Sequence, residues 1–390
     1  MCAVEWKSLE ELGNFYGGLS GKSKEDFQDG NAKFVTYMNV YSNMSLDLTI
    51  VDMVKVGEDE KQNSIKYGDI LFTGSSETPD DCGMSCVVTR HIDEPIYLNS
   101  FCFGFRFDDV EKFEPDFLKH YFRCIAMRKA ISLTASGVTR FNVSKKRFGK
   151  IQIPLLHVSK QQEIVSHLDT FTTLISNLES ELDMRREQYE HYRNQLLDFE
   201  GVKGVEWKTL GEFCKFKYGY TAKADDNGSY RYIRITDIDE CGRLYKDNAK
   251  YIGEYDDLNG YVLKKNDIVV ARTGATFGKT LIFEADYPAV YASFLIKIDL
   301  KGILLNKYYW HFAQSKLYWM QANKLVGGGA QPQFNTGALS QIIIPIPSLS
   351  IQREIVEKLD AFENLIQSLE QEIKLRKQQY EYYREKLLTF

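Results

Sequence analysis

The chain repeats itself at a period of roughly half its length. Val4, Glu5, Trp6, Lys7, Ser8 and Leu9 return as Val205, Glu206, Trp207, Lys208, Thr209 and Leu210, and residues 159–199 return without a gap as 350–390. About half of those aligned positions are identical, among them Gln161/Gln352, Glu163/Glu354, Asp169/Asp360 and Tyr189/Tyr380. Between the repeated ends lie two segments of similar length whose sequences hardly match. A period this long marks a duplicated module, not a solenoid. One frame carrying two different inserts implies a single scaffold that presents two distinct binding surfaces.

The repeated C-terminal segment of each copy reads as a long helix. Steps of four and three from Ile164 land on Leu168, Phe171, Ile175, Leu178, Leu182, Arg185, Tyr189, Tyr192, Leu196 and Phe199. The second copy gives Ile355, Leu359, Phe362, Ile366, Leu369, Ile373, Arg376, Tyr380, Tyr383, Leu387 and Phe390. A seam of this regularity, free of Gly and Pro, predicts a coiled coil, with Ser159 and Ser350 as N-caps. Arg185 and Arg376 interrupt the seam; they either fix register or snorkel to solvent. Chain connectivity predicts that the two helices run antiparallel. The expected organisation is a first head at 1–156, a helix at 157–200, a second head at 201–347 and a second helix at 348–390, related by a pseudo-twofold.

Each head reads as mixed α+β. Strands are expected at 34–40, 69–72 and 151–154 in the first head, and at 230–235, 267–270 and 342–345 in the second. A helix rich in aromatics is expected at 115–130 and again at 306–322. A glycine-containing loop follows each, and Phe141-Asn142 and Phe334-Asn335 mark the same place in both.

The net charge of −5 excludes a simple polycation, so any nucleic-acid contact must be local. Residues 117–150 contain no Asp or Glu but nine cations: Lys119, Arg123, Arg128, Lys129, Arg140, Lys145, Lys146, Arg147 and Lys150. Residues 300–352 are again free of acids and carry Lys301, Lys307, Lys316 and Lys324. Two acid-free basic tracts at equivalent positions favour phosphate neutralisation. Base edges would be read by Arg, Lys, Asn or Gln on loops. The candidates are Lys22, Lys24, Asn39, Ser75, Arg140, Lys145 and Lys146 in the first head. In the second they are Tyr220, Lys223, Arg231, Arg234, Arg272, Gln331 and Gln333.

Other chemistry is poorly supported. Seven cysteines without a paired C-x-x-C read as reduced thiols in a cytoplasmic protein, and Cys82 with Cys86 lacks partners for a metal site. No apolar run is long enough to cross a membrane. Gly274-Ala275-Thr276-Phe277-Gly278-Lys279-Thr280 imitates a phosphate loop, but its spacing is one residue short and a strand follows where a helix is required. The histidines are scattered singly and read as structural. No catalytic constellation emerges, so the chain is expected not to be an enzyme. A rival reading is a coiled-coil scaffold whose heads bind protein.

The order head–helix–head–helix, the Val-Glu-Trp-Lys-(Ser/Thr)-Leu openings, Gly68-Asp69-Ile70-Leu71 with Asn266-Asp267-Ile268-Val269, and 346–355 leading into the second helix together resemble the specificity subunit of type I restriction–modification systems. The resemblance covers essentially the whole chain and is architectural. It implies that each head is a target recognition domain for one half of a bipartite, asymmetric site in double-stranded DNA. It also implies that the helical pair sets the gap and docks two methyltransferase subunits, joined by restriction/translocase subunits. S-adenosylmethionine, ATP and Mg²⁺ would then sit on those partners and not on this chain.

Overall fold

The computed structural model describes residues 4–245, 247–255, 257–326 and 333–390. The chain divides into two compact units, one of Met1–Leu178 with Glu372–Phe390 and one of Glu179–Gln371. Each long helix, Val158–Leu196 within the expected 157–200 and Leu349–Leu387 within 348–390, therefore contributes to both units. The reason lies in the cores described below, which bury the helices together with the heads.

Three sheets recur in both units despite their different sequences, and the first unit adds a small one in the order Ala135–Ser136, Phe141–Val143, Ser75–Ser76. The repeated opening, Glu5–Ser8, pairs antiparallel with Gln152–Leu155, placing Trp6 opposite Pro154. In the second unit Glu206–Thr209 pairs with Ile343–Ile346, placing Trp207 opposite Pro345. The Ser/Thr of the motif then starts a helical turn in a capping box. The Ser8 backbone N–H donates to Glu11 at 2.8 Å and that of Thr209 to Glu212 at 2.8 Å.

Each head holds a four-stranded antiparallel sheet, in the order Gly13–Gly17, Cys102–Phe107, Ile70–Thr73, Ser85–Val87 in the first and Lys215–Tyr218, Leu295–Asp299, Asp267–Ala271, Thr280–Phe283 in the second. Each also holds a three-stranded sheet containing one parallel pair, Ala32–Val35 with Ile96–Leu98 and Tyr230–Ile233 with Ala289–Tyr291. The Gly-Asp-Ile-Leu motif enters the central strand through a left-handed residue, Gly68 at φ +81° or Asn266 at φ +69°. Asp69 then accepts the Lys66 backbone N–H at 2.8 Å and pairs with Arg106 at 2.6 Å on the neighbouring strand. Asp267 repeats this with the Lys264 N–H and with Lys297. The motif is a sheet-entry device.

Three expectations need correction. The run at 34–40 is a strand only to Val35; Tyr37–Ser42 is helical because the Thr36 side chain accepts from the Asn39 N–H and starts a new turn. The aromatic helix is two helices in each head, Pro115–Tyr121 with Ile125–Ser132 and Asn306–Phe312 with Lys316–Leu325. In the second head the later helix is capped afresh, Ser315 accepting from the Tyr318 N–H at 3.2 Å, while in the first the Ile125 N–H donates to Glu385 at 2.9 Å. The long helices, Val158–Leu196 and Leu349–Leu387, start before Ser159 and Ser350, so neither serine is the N-cap. Ser348 Oγ takes that place in the second, accepting from the Ile351 N–H at 3.4 Å.

Four seam residues at seven-residue spacing are buried in each helix, Leu168, Ile175, Leu182, Tyr189 and Leu359, Ile366, Ile373, Tyr380, and the next, Leu196 and Leu387, are half-buried. Leu369 is also buried, while Phe171, Leu178 and Phe362 are half-buried. In the first unit Phe171 stacks on Tyr383 with centroids 5.3 Å apart. In the second, Tyr192 stacks on Phe362 at 5.3 Å and Arg186 pairs with Glu370 at 2.9 Å, so the segments run antiparallel. In the first unit Ile164, Leu168, Ile175, Tyr380 and Leu388 join the core that contains Phe72, Phe103, Phe105 and Phe148. Helix pairing and head packing thus share one interior. Arg185 and Arg376 both bond within their own helix, to Glu181 and Gln188 and to Glu372 and Gln379.

Candidate nucleic-acid interface

The heads are held to the helices by two polar clamps, each present twice. Gln161, fully buried, accepts the Glu114 N–H at 2.9 Å and donates to the carbonyls of Lys112 and Leu156 at 2.8 and 2.9 Å. Gln352 accepts from Leu305 at 2.9 Å and donates to Ile303 and Pro347 at 3.2 and 2.8 Å. A carboxamide can satisfy both donors and acceptors at a chain junction, which explains glutamine at this motif position.

The second clamp is Asp–His–Tyr. Buried His120 lies 2.7 Å from Asp169 through Nε2 and 2.8 Å from the Tyr380 hydroxyl through Nδ1. His311 repeats this with Asp360 and Tyr189, each at 2.9 Å. Burial pulls both imidazoles below their ordinary pKa, against the opposing pull of the aspartates. The neutral ring with Nε2–H donating to Asp and Nδ1 accepting from Tyr fits both sites. Burial works to raise the Asp169 and Asp360 carboxyls, but hydrogen bonds from His, with Lys119 and Lys307, outweigh it and hold them below the usual range. Both histidines were expected to be structural; their pairing with repeat-helix residues was not foreseen. The signal available was their position, since residues 120 and 311 are separated by the same offset as Asp169 and Asp360.

These clamps fix the heads, whose exposed loops carry the candidate contacts. Lys24, Arg140, Lys145, Lys146, Lys223 and Gln333 are exposed as expected, and Arg272 is half-exposed. Others are already engaged. Asn39 is buried, its amide donating to Asp47 and Ile50 carbonyls at 2.7 Å each, so it shapes a loop instead of reaching a base. Lys22 is held by Glu60 at 2.5 Å. Arg231 is buried against Tyr287 and the Tyr245 carbonyl, and Arg234 is locked to Asp237 at 2.7 Å. Ser75 is buried but accepts from Arg140 Nε at 3.1 Å, and the Tyr220 hydroxyl donates to Asp257 at 2.8 Å. Gln331 lies outside the described residues.

The basic tract of the first head also divides. Arg123 donates to the carbonyls of Ser85, Val40, Tyr41 and Asn43, and burial lowers its pKa to about 10. Arg128 grips the carbonyls of Gly83, Asp80 and Cys82. Lys119 pairs with Asp116 and Asp169. The other six cations of the tract, Lys129, Arg140, Lys145, Lys146, Arg147 and Lys150, are exposed and available to phosphates. The phosphate-loop imitation is a short 3₁₀ turn, Gly274–Thr276, followed by the strand Thr280–Phe283, and Lys279 is paired with Glu240 at 2.5 Å. It has no helix N-terminus to hold a nucleotide. Among the described residues no helix is long and apolar enough to cross a membrane, and Cys82, Cys86, Cys102, Cys124, Cys214 and Cys241 are unpaired.

A family model described as the Type I restriction modification DNA specificity domain matches the chain twice, over residues 3–184 and 203–375. The chain is 35% identical over 251 residues to the specificity subunit of a type I restriction enzyme of Escherichia coli, a match that spans 59% of each. It is 32% identical over 294 residues to a protein from Haemophilus influenzae named as a type I restriction enzyme specificity subunit, covering 72% of this chain and 73% of that one. The fold is similar to the crystal structure of a type I restriction–modification S subunit from M. genitalium, with a TM-score of 0.56 and 15% identity over 100% of this chain and 98% of the other.

Proposed function

Because this chain belongs to the type I restriction–modification DNA specificity family, we propose that it is the DNA-reading subunit of a methyltransferase–endonuclease complex. Each head reads one half of a bipartite, asymmetric site in double-stranded DNA. The two long helices set the gap between half-sites and dock two methyltransferase subunits, to which restriction/translocase subunits are added, in the cytoplasm. Each helix has 39 residues, a length of roughly 60 Å at ~1.5 Å per residue. The chain itself binds no cofactor: S-adenosylmethionine, ATP and Mg²⁺ belong to the partners, and catalysis with them.

The observation that supports this reading most is the pairing of one topology with two different exposed surfaces. Two identical heads would suit a symmetric ligand; two dissimilar heads on one frame suit an asymmetric one. The test is DNA binding by the reconstituted complex across salt concentrations. With about six phosphate contacts, affinity should fall roughly a thousandfold between 50 and 200 mM salt. A flat salt dependence, or no site preference, would favour heads that bind protein.

A further inference from the structure

One exposed aromatic occupies the same topological place in both heads. Phe101 stands at the turn before the central strand Cys102–Phe107, and Phe294 at the turn before its counterpart Leu295–Asp299. The rings are 58% and 50% exposed, so neither fills a core. Their backbones are nevertheless pinned alike. The Phe101 carbonyl accepts from Gly74 at 2.7 Å and the Phe294 carbonyl from Arg272 at 3.0 Å. The turn closes through Cys102 N–H to Asn99 at 3.0 Å and through Leu295 N–H to Ala292 at 2.8 Å. A rigid turn that holds an apolar ring in water is a preorganised contact.

Each ring carries an arginine, and the two arginines come from different places in the chain. Arg140 lies 5.7 Å from the Phe101 centroid and comes from the loop before Phe141-Asn142. Arg272 lies 5.5 Å from the Phe294 centroid and 5.0 Å from that of exposed Tyr218, and it follows the strand Asp267–Ala271. Both are anchored through Nε alone, to Ser75 Oγ at 3.1 Å and to the Ser293 carbonyl at 3.0 Å. Among the described residues their terminal amino groups have no hydrogen-bond partner. Those two groups form the fork that reads O6 and N7 of guanine, and a phenyl edge suits the methyl of thymine. The Phe101 site opens on a cleft of about 600 Å³ lined by Tyr37, Met38, Tyr41, Ser75 and Thr139. Glu77 and Asp81 also line it; Asp81 is occupied by Thr78 at 2.6 Å and Tyr41 at 3.2 Å.

We propose that Phe101 with Arg140, and Phe294 with Arg272, are the base-reading points of the two heads, each discriminating bases in one half-site of double-stranded DNA. This rests on the DNA-reading function proposed above. The basic residues beyond each pair then act on phosphates without regard to sequence.

The test is the methylation rate of the complete methyltransferase complex on DNA libraries randomised in one half-site at a time, using wild type, Phe101→Ala, Arg140→Lys, Phe294→Ala and Arg272→Lys. Wild type must first show a bipartite preference; if it shows none, the proposed function itself fails. Given that preference, each first-head variant should lose roughly tenfold to a hundredfold of discrimination at one or two positions of one half-site only. Each second-head variant should do the same in the other half-site, with melting temperatures unchanged. Unaltered discrimination in properly folded variants overturns the inference. So does a uniform loss of affinity across all sequences, which would reassign these residues to phosphate contact.

Discussion

Replacing Gln352 by leucine is expected to lower stability by about 3–5 kcal/mol. Leucine fills the same space, but the Leu305 N–H and the carbonyls of Ile303 and Pro347 lose their partner in a site with no access to water. A buried backbone group left unsatisfied costs about 1–3 kcal/mol, and three are affected. Gln161→Leu should behave alike, since its carboxamide makes the same three bonds. Gln162, the next residue, is exposed, and its leucine variant should stay within about 0.5 kcal/mol of wild type. Denaturant titrations of the three variants check this. A Gln352→Leu midpoint close to that of Gln162→Leu would show that the junction is not held by this clamp.

Replacing His120 by leucine should cost about 3–5 kcal/mol, because it strips Asp169 of one donor and takes the imidazole partner from the buried Tyr380 hydroxyl, leaving it the Met44 sulfur and the Arg384 guanidinium. The same residues predict the pH dependence. Both histidines titrate below their ordinary pKa of ~6.5 when folded, so as pH falls through that value the unfolded chain takes up protons that the folded chain refuses. Stability is therefore held above pH ~6.5 and declines below it. The lowered Asp169 and Asp360 carboxyls add a second loss as pH falls through ~3.8. Stability measured from pH 8 to 5 should fall for wild type and fall less for the double variant His120→Leu, His311→Leu. Equal slopes would contradict the assignment of buried, neutral imidazoles.

The repeat made the frame legible because both ends of each head recur in sequence and pair with each other in space. Trp6 and Trp207 open the strands that meet Pro154 and Pro345, and the heptad positions from Leu168 to Tyr189 and from Leu359 to Tyr380 are buried as their spacing requires. What could not be read was the use of individual polar side chains. Arg123 and Arg128 look like the exposed Lys145 and Lys146 in composition, yet they turn inward because the carbonyls at the end of the helix Tyr37–Ser42 and at 80–85 offer several acceptors each. Asn39 and Arg231 turn inward too, since a loop residue and a loop clamp have the same letters. Phe101 and Phe294 escaped notice because an isolated phenylalanine carries no motif. Only the shared turn, assembled from strands far apart in sequence, makes them equivalent.

The proposed central role, two dissimilar readers held at a set distance by paired helices, is tested most directly by removing one heptad from the middle of each long helix and sequencing the methylome of a host that carries the complete system. Seven residues at ~1.5 Å shorten a helix by roughly 10 Å, about three base-pair steps of ~3.4 Å. The predicted result is unchanged half-sites separated by a shorter gap. Methylation at the original gap by the shortened chain would contradict it.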